Sequence, residues 1–413
     1  MKPLSVAEHF GFPNGKQVEL HEEYTGKDSV EKCFKKQSDK ICFKYNHGEI
    51  PSLQTSFFIG LDWIEEGGYF LHVNPKVDTT EDKLDFFEML KVAASSPVKS
   101  DVLDKLLEID LGAQEIEIDQ NQDYLSPLLL IHFLSQLRML VKNGLKKGYY
   151  VQDQNLDSKV KGKILALESV RKNHLKGAYH KTYCRIQIHG VDILENRLLK
   201  KALDFAVRYS SQFPMRLDSN ILNYVRPAFK QVSSDISGLK VNGTSKSPFY
   251  SRYDYCLKLA NLILRRYGYN INSVVKSEKV KTPPYWIDMS LLFELYALNL
   301  LRHKEGGVEF QFHGKYGYPD FLLLKRGFVA DAKYSLKYNE ERYQAESIRQ
   351  ISGYARDIKV RAKLGTQPNQ VVPCLIIHPD QNAKLDWNDI TKAMKSIPQF
   401  EEFYKLGIPL PVQ

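Results

Sequence analysis

One segment constrains the fold of this chain more than any other, because it sets three charged residues at the ends of two apolar runs. Residues 318–334 read YPDFLLLKRGFVADAKY, and the two runs meet at Arg326-Gly327. This pattern predicts two paired β-strands, with Asp320 at the start of the first and Asp331 near the end of the second. Side chains two residues apart in a strand point to the same face, so we expect Asp331 and Lys333 to project together.

The hairpin also predicts a cation site. If Asp320 faces the same side of the neighbouring strand, two carboxylates and one lysine converge on a single point. Such carboxylates repel each other unless a cation lies between them, and Mg²⁺ prefers oxygen ligands, with Mn²⁺ as a substitute. Bound Mg²⁺ activates water and acts as a Lewis acid, while Lys333 orients the nucleophile or balances developing charge. We therefore predict phosphodiester hydrolysis at Asp320, Asp331 and Lys333.

Two further segments carry candidate site residues. The apolar, helix-like run 288–301 contains Glu294 in its middle, where a carboxylate is costly unless it is paired or metal-bound, and we expect Glu294 to be the third metal ligand beside Asp320 and Asp331. The helix-like run 344–363 contains Gln350 and Tyr354, which share one helical face and could contact the scissile phosphate or hold Lys333. The alternatives are an ion-paired or snorkelling helix residue for Glu294 and a solvated helix face for the other two.

Composition narrows the function classes. The formal net charge of +9 favours a polyanionic partner such as DNA, although a merely basic globular protein has the same charge. The chain contains no GxxxxGK[ST] motif, so we do not expect it to hydrolyse ATP or GTP by itself. Its five cysteines lack CxxC spacing, and we expect reduced thiols rather than a zinc site. Without a signal-like or membrane-spanning apolar run, we expect a cytoplasmic protein with no membrane contact.

Pattern changes along the chain predict three regions and an α/β fold class, α+β overall. The run 57–73 with Gly67-Gly68 indicates a β-hairpin, whereas residues 81–145 and 195–210 show helical spacing. The loop-like segment 231–248 precedes a helix, strand and helix pattern. The predicted regions are a β-rich, partner-binding N-terminal region at 1–120, a helical or mixed, stalk-like middle region at 121–240 and a nuclease domain at 241–413.

The candidate residues resemble a known pattern. Asp320 after a proline, Asp331-Ala332-Lys333, and Gln350 with Tyr354 form PD…DAK…QxxxY, which resembles the PD-(D/E)XK nuclease superfamily. The resemblance implies a mixed sheet flanked by helices in α-β-β-β-α-β order. The apolar run VVPCLIIH at 371–378 would supply the last buried strand.

Within that superfamily, the middle of the chain resembles McrC, the nuclease subunit of McrBC-type modification-dependent restriction systems. The resemblance rests on a tyrosine, a GRI-like turn, a cysteine, an acidic residue and an ENRLLK run. These residues are Tyr150, Gly162-Lys163-Ile164, Cys184, Asp192 and Glu195-Asn196-Arg197. Lys163 stands where an arginine is common, and the first ~110 residues match only loosely.

This resemblance implies partners. McrC-like subunits act with a hexameric McrB-like AAA+ GTPase, whose pore receives an N-terminal region of the nuclease subunit and whose hydrolysis that subunit stimulates. Cutting both DNA strands needs two nuclease centres, so we also expect dimerisation of the subunit or of its complex. The alternatives are a stand-alone PD-(D/E)XK nuclease in repair or on RNA, and a non-cleaving activator of an NTPase. Residues 150–200 could also be a plain packed connector in which Asn196-Arg197 only cap and pair.

Overall fold

A computed structural model of the 413-residue chain describes most of the sequence. The described residues are 2–19, 28–37, 40–76, 84–94, 102, 105–119, 123–210, 219–235, 251–268, 279–304, 306–340, 343–367, 369–383 and 390–412. They contain both helices and strands, and the mixed α/β character predicted from the sequence is confirmed.

The described elements are numbered here in chain order. The strands are β1 Lys2–Ala7, β2 Lys16–Gln17, β3 Val30–Phe34, β4 Lys40–Asn46, β5 Ser52–Thr55, β6 Phe58–Glu65, β7 Tyr69–Asn74, β8 Leu107–Ile109, β9 Ile116–Asp119, β10 Gly148–Asp157, β11 Lys163–Ile164, β12 Lys181–Gly190, β13 Lys279–Thr282, β14 Tyr285–Asp288, β15 Val308–Phe310, β16 Phe321–Leu323, β17 Phe328–Ala332, β18 Cys374–Pro379, β19 Lys395–Ser396 and β20 Phe403–Ile408. The helices are α1 Phe86–Ala94, α2 Leu125–Lys142, α3 Ala166–Lys172, α4 Leu194–Ser210, α5 Ser219–Ala228, α6 Ser251–Gly268, α7 Met289–Lys304, α8 Ala345–Ala355 and α9 Ile358–Leu364.

The chain folds into two compact units. The first contains Met1–Leu128, Pro214–Asp218 and Ser277–Gln413, and the second contains Leu129–Phe213 and Ser219–Lys276. The three regions predicted from the sequence concern roles as well as boundaries, and that division stays a prediction. Most of the predicted 231–248 loop, from residue 236 onward, lies outside the described residues.

The N-terminal part of the first unit is β-rich, as its sequence pattern predicts. The predicted hairpin is formed by β6 and β7, and it belongs to a five-stranded sheet in the order β1-β7-β6-β14-β8. Strand β14 comes from late in the chain and pairs antiparallel with β6, so that Tyr285 lies opposite Leu61. Gly60 is required there, because a Cβ atom at this position would collide with the Tyr285 carbonyl oxygen. A four-stranded sheet, β2-β5-β4-β3, contributes aromatic residues to the same core.

The C-terminal part of the first unit carries a six-stranded mixed sheet in the order β15-β16-β17-β18-β20-β19. Strands β15, β16 and β17 pair antiparallel, whereas β17, β18 and β20 run parallel. Helix α7 precedes this sheet, and α8 and α9 separate β17 from β18. The α-β-β-β-α-β order is therefore confirmed. The run 371–378 does supply a buried strand, β18, but it is not the last one, because β20 follows in the same sheet. Strand β15 ends at Phe310, because Gln311 has a φ of 48° that breaks the strand alternation.

The second unit combines helices with a small sheet. Strand β12 pairs antiparallel with β10 over ten residues and with β11 over two. Helix α3 packs on β12, and α4 packs on α6. The helical and mixed character predicted for this part of the chain is confirmed. Among the described residues, no helix is both long enough and apolar enough to cross a membrane.

Candidate active site

The candidate site lies where β16 and β17 pair in the mixed sheet. Asp320 immediately precedes β16, and Asp331 is the fourth residue of β17. The turn between the strands contains Gly327 with a φ of 73°, a conformation that glycine adopts without steric cost. Phe321 is opposite Ala330, so the two strands hold both carboxylates at the same end of the hairpin.

Asp331 and Lys333 form an ion pair at the end of β17. Oδ2 of Asp331 lies 2.6 Å from Nζ of Lys333, and the aspartate side chain is 2% exposed whereas the lysine side chain is 24% exposed. The lysine backbone is fixed as well, since its N–H donates to the Ile377 carbonyl of β18 at 2.8 Å. The ammonium group is therefore held between a buried carboxylate and solvent.

Asp320 approaches the same point from the neighbouring strand. Its Oδ2 accepts a hydrogen bond of 2.8 Å from the backbone N–H of Ala332. Burial and the charges of Asp331 and Glu294 raise the pKa of Asp320 well above its usual value. The structure thus brings the two sequence-predicted aspartates together.

Glu294 lies within α7, on the side that meets these carboxylates. Burial and the charges of Asp288 and Asp331 raise its pKa to about 8, although Lys333 and a hydrogen bond from Gln311 act in the opposite direction. The glutamate therefore belongs to the electrostatic environment of the aspartates.

Gln350 and Tyr354 lie on one face of α8, next to Lys333. Nζ of Lys333 donates to Oε1 of Gln350 at 2.9 Å, and Nε2 of Gln350 donates to the Tyr354 hydroxyl at 2.8 Å. Burial raises the pKa of Tyr354, which keeps its hydroxyl protonated. This chain of hydrogen bonds fixes the direction in which the lysine ammonium points.

The carboxyl groups of the site cannot all be ionised without mutual repulsion, which its single lysine offsets only in part. Burial raises the pKa of Asp331 despite the pairing with Lys333, and the two aspartates raise the pKa of Lys333 despite its burial. Oδ2 of Asp331 is buried and accepts no hydrogen bond of regular geometry, so its close contact with Lys333 is an ion pair only. The oxygen donors of Asp320 and Asp331 fit a hard divalent cation such as Mg²⁺, which usually takes one or two carboxylates and completes its shell with water and phosphate.

Glu294 does not complete a three-carboxylate ligand set in this conformation. Among the described residues, no group of three or more His, Cys, Asp or Glu side chains lies close enough together to hold a metal ion. A cation here would therefore rest on Asp320 and Asp331, with Glu294 adding negative charge nearby.

Three residues at the site escaped the sequence reasoning. Asp288 ends β14 and caps α7, since its Oδ1 accepts a 2.9 Å hydrogen bond from the Leu291 N–H. An aspartate immediately before an apolar helix is a recognisable N-cap signal. Gln311 donates its backbone N–H to the Asp320 carbonyl at 2.8 Å, and Tyr338 is within electrostatic reach of Lys333. No local pattern marks these two residues.

The motif residues of the middle region have structural partners. Asn196 is fully buried; it donates to the carbonyls of Lys146 and Val191 and accepts from the Tyr253 hydroxyl. Asp192 accepts two hydrogen bonds from Arg197, at 2.9 and 2.7 Å, and one from the Ser233 N–H. The Asn196-Arg197 pair therefore caps and pairs within this unit, as the connector alternative proposed.

The remaining motif residues shape the small sheet of the same unit. Gly162 has a φ of 75°, and a Cβ atom there would collide with the Arg185 carbonyl oxygen. Lys163 and Ile164 then pair with Arg185 and the buried Cys184.

Comparison with known proteins identifies the family. A family model described as McrBC 5-methylcytosine restriction system component matches residues 53–361. No curated protein matches the chain. Two solved assemblies from Thermococcus gammatolerans are similar to it. One is a refined half-complex from a tetradecameric assembly of McrB AAA+ hexamers with bound McrC, with 16% identity, coverage of 88% of this chain and 80% of that chain, and a TM-score of 0.34. The other is a cryo-EM structure of the McrBC complex, with 15% identity, coverage of 75% and 90%, and a TM-score of 0.27.

The family model covers more than half of the chain and includes the β16–β17 hairpin with its three charged residues. The chain therefore belongs to the McrBC family of 5-methylcytosine restriction system components.

Proposed function

We propose that the chain is the Mg²⁺-dependent DNA endonuclease subunit of a McrBC-like restriction complex, a type IV-like restriction endonuclease. The observation that carries this proposal is the convergence of the buried Asp331, the half-buried Asp320 and one lysine at the end of a β-hairpin. Buried carboxylates that repel each other reduce stability, and a ligand that neutralises them accounts for the arrangement. Membership of a restriction system family supports DNA as the substrate.

In this proposal Asp320 and Asp331 hold Mg²⁺, and Glu294 adds negative charge beside them. The bound ion would lower the pKa of a water molecule and stabilise charge on the phosphoryl oxygens. Mn²⁺ shares the preference for oxygen ligands and would substitute. Carboxylates that hold a metal ion must be deprotonated, so ion binding would oppose the raised pKa values of Asp320 and Asp331.

Lys333 has the second chemical task. Its ammonium group carries a positive charge at neutral pH and reaches solvent from between Asp331 and Gln350. A phosphate that enters the site meets this charge, which orients the attacking water or balances the charge that develops on the phosphoryl group. Gln350 and Tyr354 support the lysine and restrict its rotation, so we assign them positioning roles.

The proposal includes a protein partner, a hexameric McrB-like AAA+ GTPase that the chain stimulates. Family membership supports a multi-component system, and the chain contains no phosphate-binding loop of its own. Residues 1–120 remain the partner-binding region predicted from the sequence. Two nuclease centres are needed to cut both strands, so the proposal also includes dimerisation within the complex.

A second surface for that partner lies in the second unit, within residues 148–190. We call it the hairpin surface, and its apolar members are Tyr149, Val151, Val160, Ile164, Leu167, Val170, Leu175 and Tyr179, all of which are exposed. Residues 148–190 also contain eight Lys and Arg against three Asp and Glu. Exposed apolar groups within a basic surface suit a partner with apolar and acidic contact residues.

Cleavage by the reconstituted complex tests the nuclease proposal. The chain, its AAA+ partner, GTP and Mg²⁺ should cut plasmid DNA that contains 5-methylcytosine, and omission of Mg²⁺ should stop the reaction. Asp331→Ala should stop it as well, whereas Asp380→Ala, at the end of another strand of the same sheet, should not. A partner that hydrolyses GTP faster in the presence of the chain while the DNA stays intact would support the non-cleaving activator instead.

A further inference from the structure

The buried Glu8 and its neighbour Lys76 reach from the N-terminal sheet to the strand end that carries Lys333. Glu8 follows β1 and Lys76 lies beyond β7, two strands that pair in parallel. Oε1 of Glu8 accepts a 3.0 Å hydrogen bond from the Lys76 backbone N–H, and the glutamate is 3% exposed. Burial raises the pKa of Glu8 and lowers the pKa of Lys76, and each residue's charge opposes the shift of the other.

Lys76 contacts Tyr334 in two ways. Its Nζ donates a hydrogen bond of 2.7 Å to the Tyr334 carbonyl oxygen. The same ammonium group lies 3.6 Å from the centre of the Tyr334 ring, a close cation–π contact. The Tyr334 hydroxyl also lies close enough to Glu8 to lower the pKa of that carboxyl. Lys76 thus contacts the backbone and the ring of Tyr334, and Glu8 lies near its hydroxyl.

Tyr334 is the residue that follows Lys333. Its ring packs on Phe293, the neighbour of Glu294, with the ring centres 5.7 Å apart. The backbone on the other side of Lys333 is held by the bond from its N–H to Ile377, and Ser335 donates its N–H to the Lys333 carbonyl at 2.7 Å. Two anchors therefore flank the lysine: the parallel strand β18 holds its own N–H, and Lys76 holds the next carbonyl.

Stability alone does not account for this arrangement. Placing two charges in a protein interior costs several kcal/mol per ion, and an apolar pair of similar volume usually stabilises a fold at least as well. The charged and titratable groups around the pair are His9, Asp288 and Lys337, and both Lys337 and Glu8 act on the charge of Lys76. The pair is explained if its hydrogen bond to the Tyr334 carbonyl has a function.

We propose that Lys76, held by Glu8, is a positioning residue for Lys333. This inference rests on the proposed nuclease function, because it assigns to the N-terminal sheet the task of fixing the lysine that faces the scissile phosphate. Lys76 touches no reacting atom; it acts through the backbone of Tyr334. A displacement of about 1 Å at a catalytic group is enough to slow a reaction roughly 100-fold.

A double variant separates positioning from folding. Glu8→Gln together with Lys76→Met removes both buried charges, keeps the volume nearly constant and deletes the donor to Tyr334. Because replacing a whole buried pair is close to neutral, the variant should fold. The single variant Lys76→Arg keeps a cationic donor and should keep the hydrogen bond to the Tyr334 carbonyl. The matched control is Asp62→Asn with Lys32→Met, which removes a buried carboxylate of the five-stranded sheet and its lysine partner, 3.2 Å away on β3 of the four-stranded sheet.

Two measurements decide the proposal. In hydrogen–deuterium exchange, the Lys333 and Ser335 amides of the double variant should exchange at least about tenfold faster than in the wild type, with no change in the control. In cleavage by the reconstituted complex, kcat should fall roughly 10- to 100-fold with KM unchanged. Lys76→Arg should restore both values.

Unchanged exchange at these amides overturns the proposal, and so does faster exchange with an unchanged kcat. A wild-type complex that cuts no DNA refutes the nuclease function instead, and the exchange measurement alone then decides whether Lys76 orders this strand end.

Discussion

The mixed sheet of the first unit and the surface of the second unit depart from the usual distribution of charged and apolar side chains in opposite ways. At the end of β17 the chain buries carboxylates that repel each other, whereas on the hairpin surface it exposes apolar side chains such as Leu167 and Leu175. In the second unit, by contrast, the half-buried Asp192 pairs with Arg197 through two hydrogen bonds. Unpaired charge and uncovered apolar surface both reduce stability unless a ligand compensates them.

The difference indicates two different ligands. The mutually repelling carboxyls at the end of β17 indicate a cation and then a phosphate as ligands. The apolar and basic hairpin surface indicates another protein. Polar groups that are already paired indicate no ligand. We therefore interpret the Asn196-Arg197 motif as structural, although it resembles a family pattern.

Lys333→Ala should produce the largest effect on activity. It removes the only cation within hydrogen-bond distance of Asp331 among the described residues, and we expect cleavage to fall by about 100-fold or more. DNA affinity measured with Ca²⁺ should change little, because one contact to phosphate is lost. Lys325→Ala, an exposed lysine in the β16–β17 turn, is the matched control. Equal cleavage rates for the two variants would break the assignment.

Glu294→Gln should change how stability depends on pH. Between the ordinary pKa of 4.5 and the raised value of about 8, the folded chain keeps a proton that the unfolded chain releases. The wild type therefore loses stability as the pH rises through this window, and the variant does not. In metal-free denaturant unfolding, the variant should gain on the order of 3 kcal/mol relative to the wild type between about pH 5 and about pH 8.

The control for this measurement is Glu309→Gln, which alters a surface ion pair with Lys363 and should differ from the wild type by less than about 0.5 kcal/mol. If the difference in unfolding free energy between Glu294→Gln and the wild type stays constant with pH, burial and the neighbouring charges do not raise the pKa of this carboxyl.

Asn196→Ala tests the structural side of the comparison. It removes the side chain that donates to the carbonyls of Lys146 and Val191 and accepts from the Tyr253 hydroxyl, so the free energy of unfolding should fall by about 2–3 kcal/mol. The kcat of the folded fraction should not change. Gln152→Ala, at an exposed position of the same unit, should alter stability by less than about 0.5 kcal/mol. A selective loss of kcat without loss of stability would give this motif a direct role.

Leu167→Ser combined with Leu175→Ser should have the smallest effect. Both side chains are more than three-quarters exposed, so stability should not change. Affinity for the AAA+ partner, measured by calorimetry, should weaken by roughly tenfold. Ile358→Ser, an exposed residue of α9, serves as the control. Unchanged affinity would indicate that the AAA+ partner binds residues 1–120 and not the hairpin surface.

Local pattern was sufficient for the hairpin that carries the site. Apolar runs with a glycine turn predicted β16 and β17, and the i, i+2 rule placed Asp331 beside Lys333. The four-residue spacing of Gln350 and Tyr354 likewise gave the face that meets the lysine. These features depend on neighbours within a strand or helix, which sequence periodicity reports directly.

Long-range pairing was beyond the reach of the same reasoning. Strand β14 inserts beside β6 across more than 200 residues, and Lys76 meets Tyr334 at a separation of 258. A short run such as YWID has no periodicity that specifies its partner. The end of β15 depends on a single residue with positive φ, Gln311, which is not a residue type that announces a turn.

The most direct test of the account follows cation binding and DNA cleavage in the same samples. Mn²⁺ is titrated into the reconstituted complex while electron paramagnetic resonance reports bound metal and single-turnover assays report cleavage. The account predicts that in the wild type both signals saturate over the same Mn²⁺ concentrations, and that Asp331→Ala loses the bound-metal signal and cleavage together. Cleavage by Asp331→Ala at the wild-type rate would contradict the account.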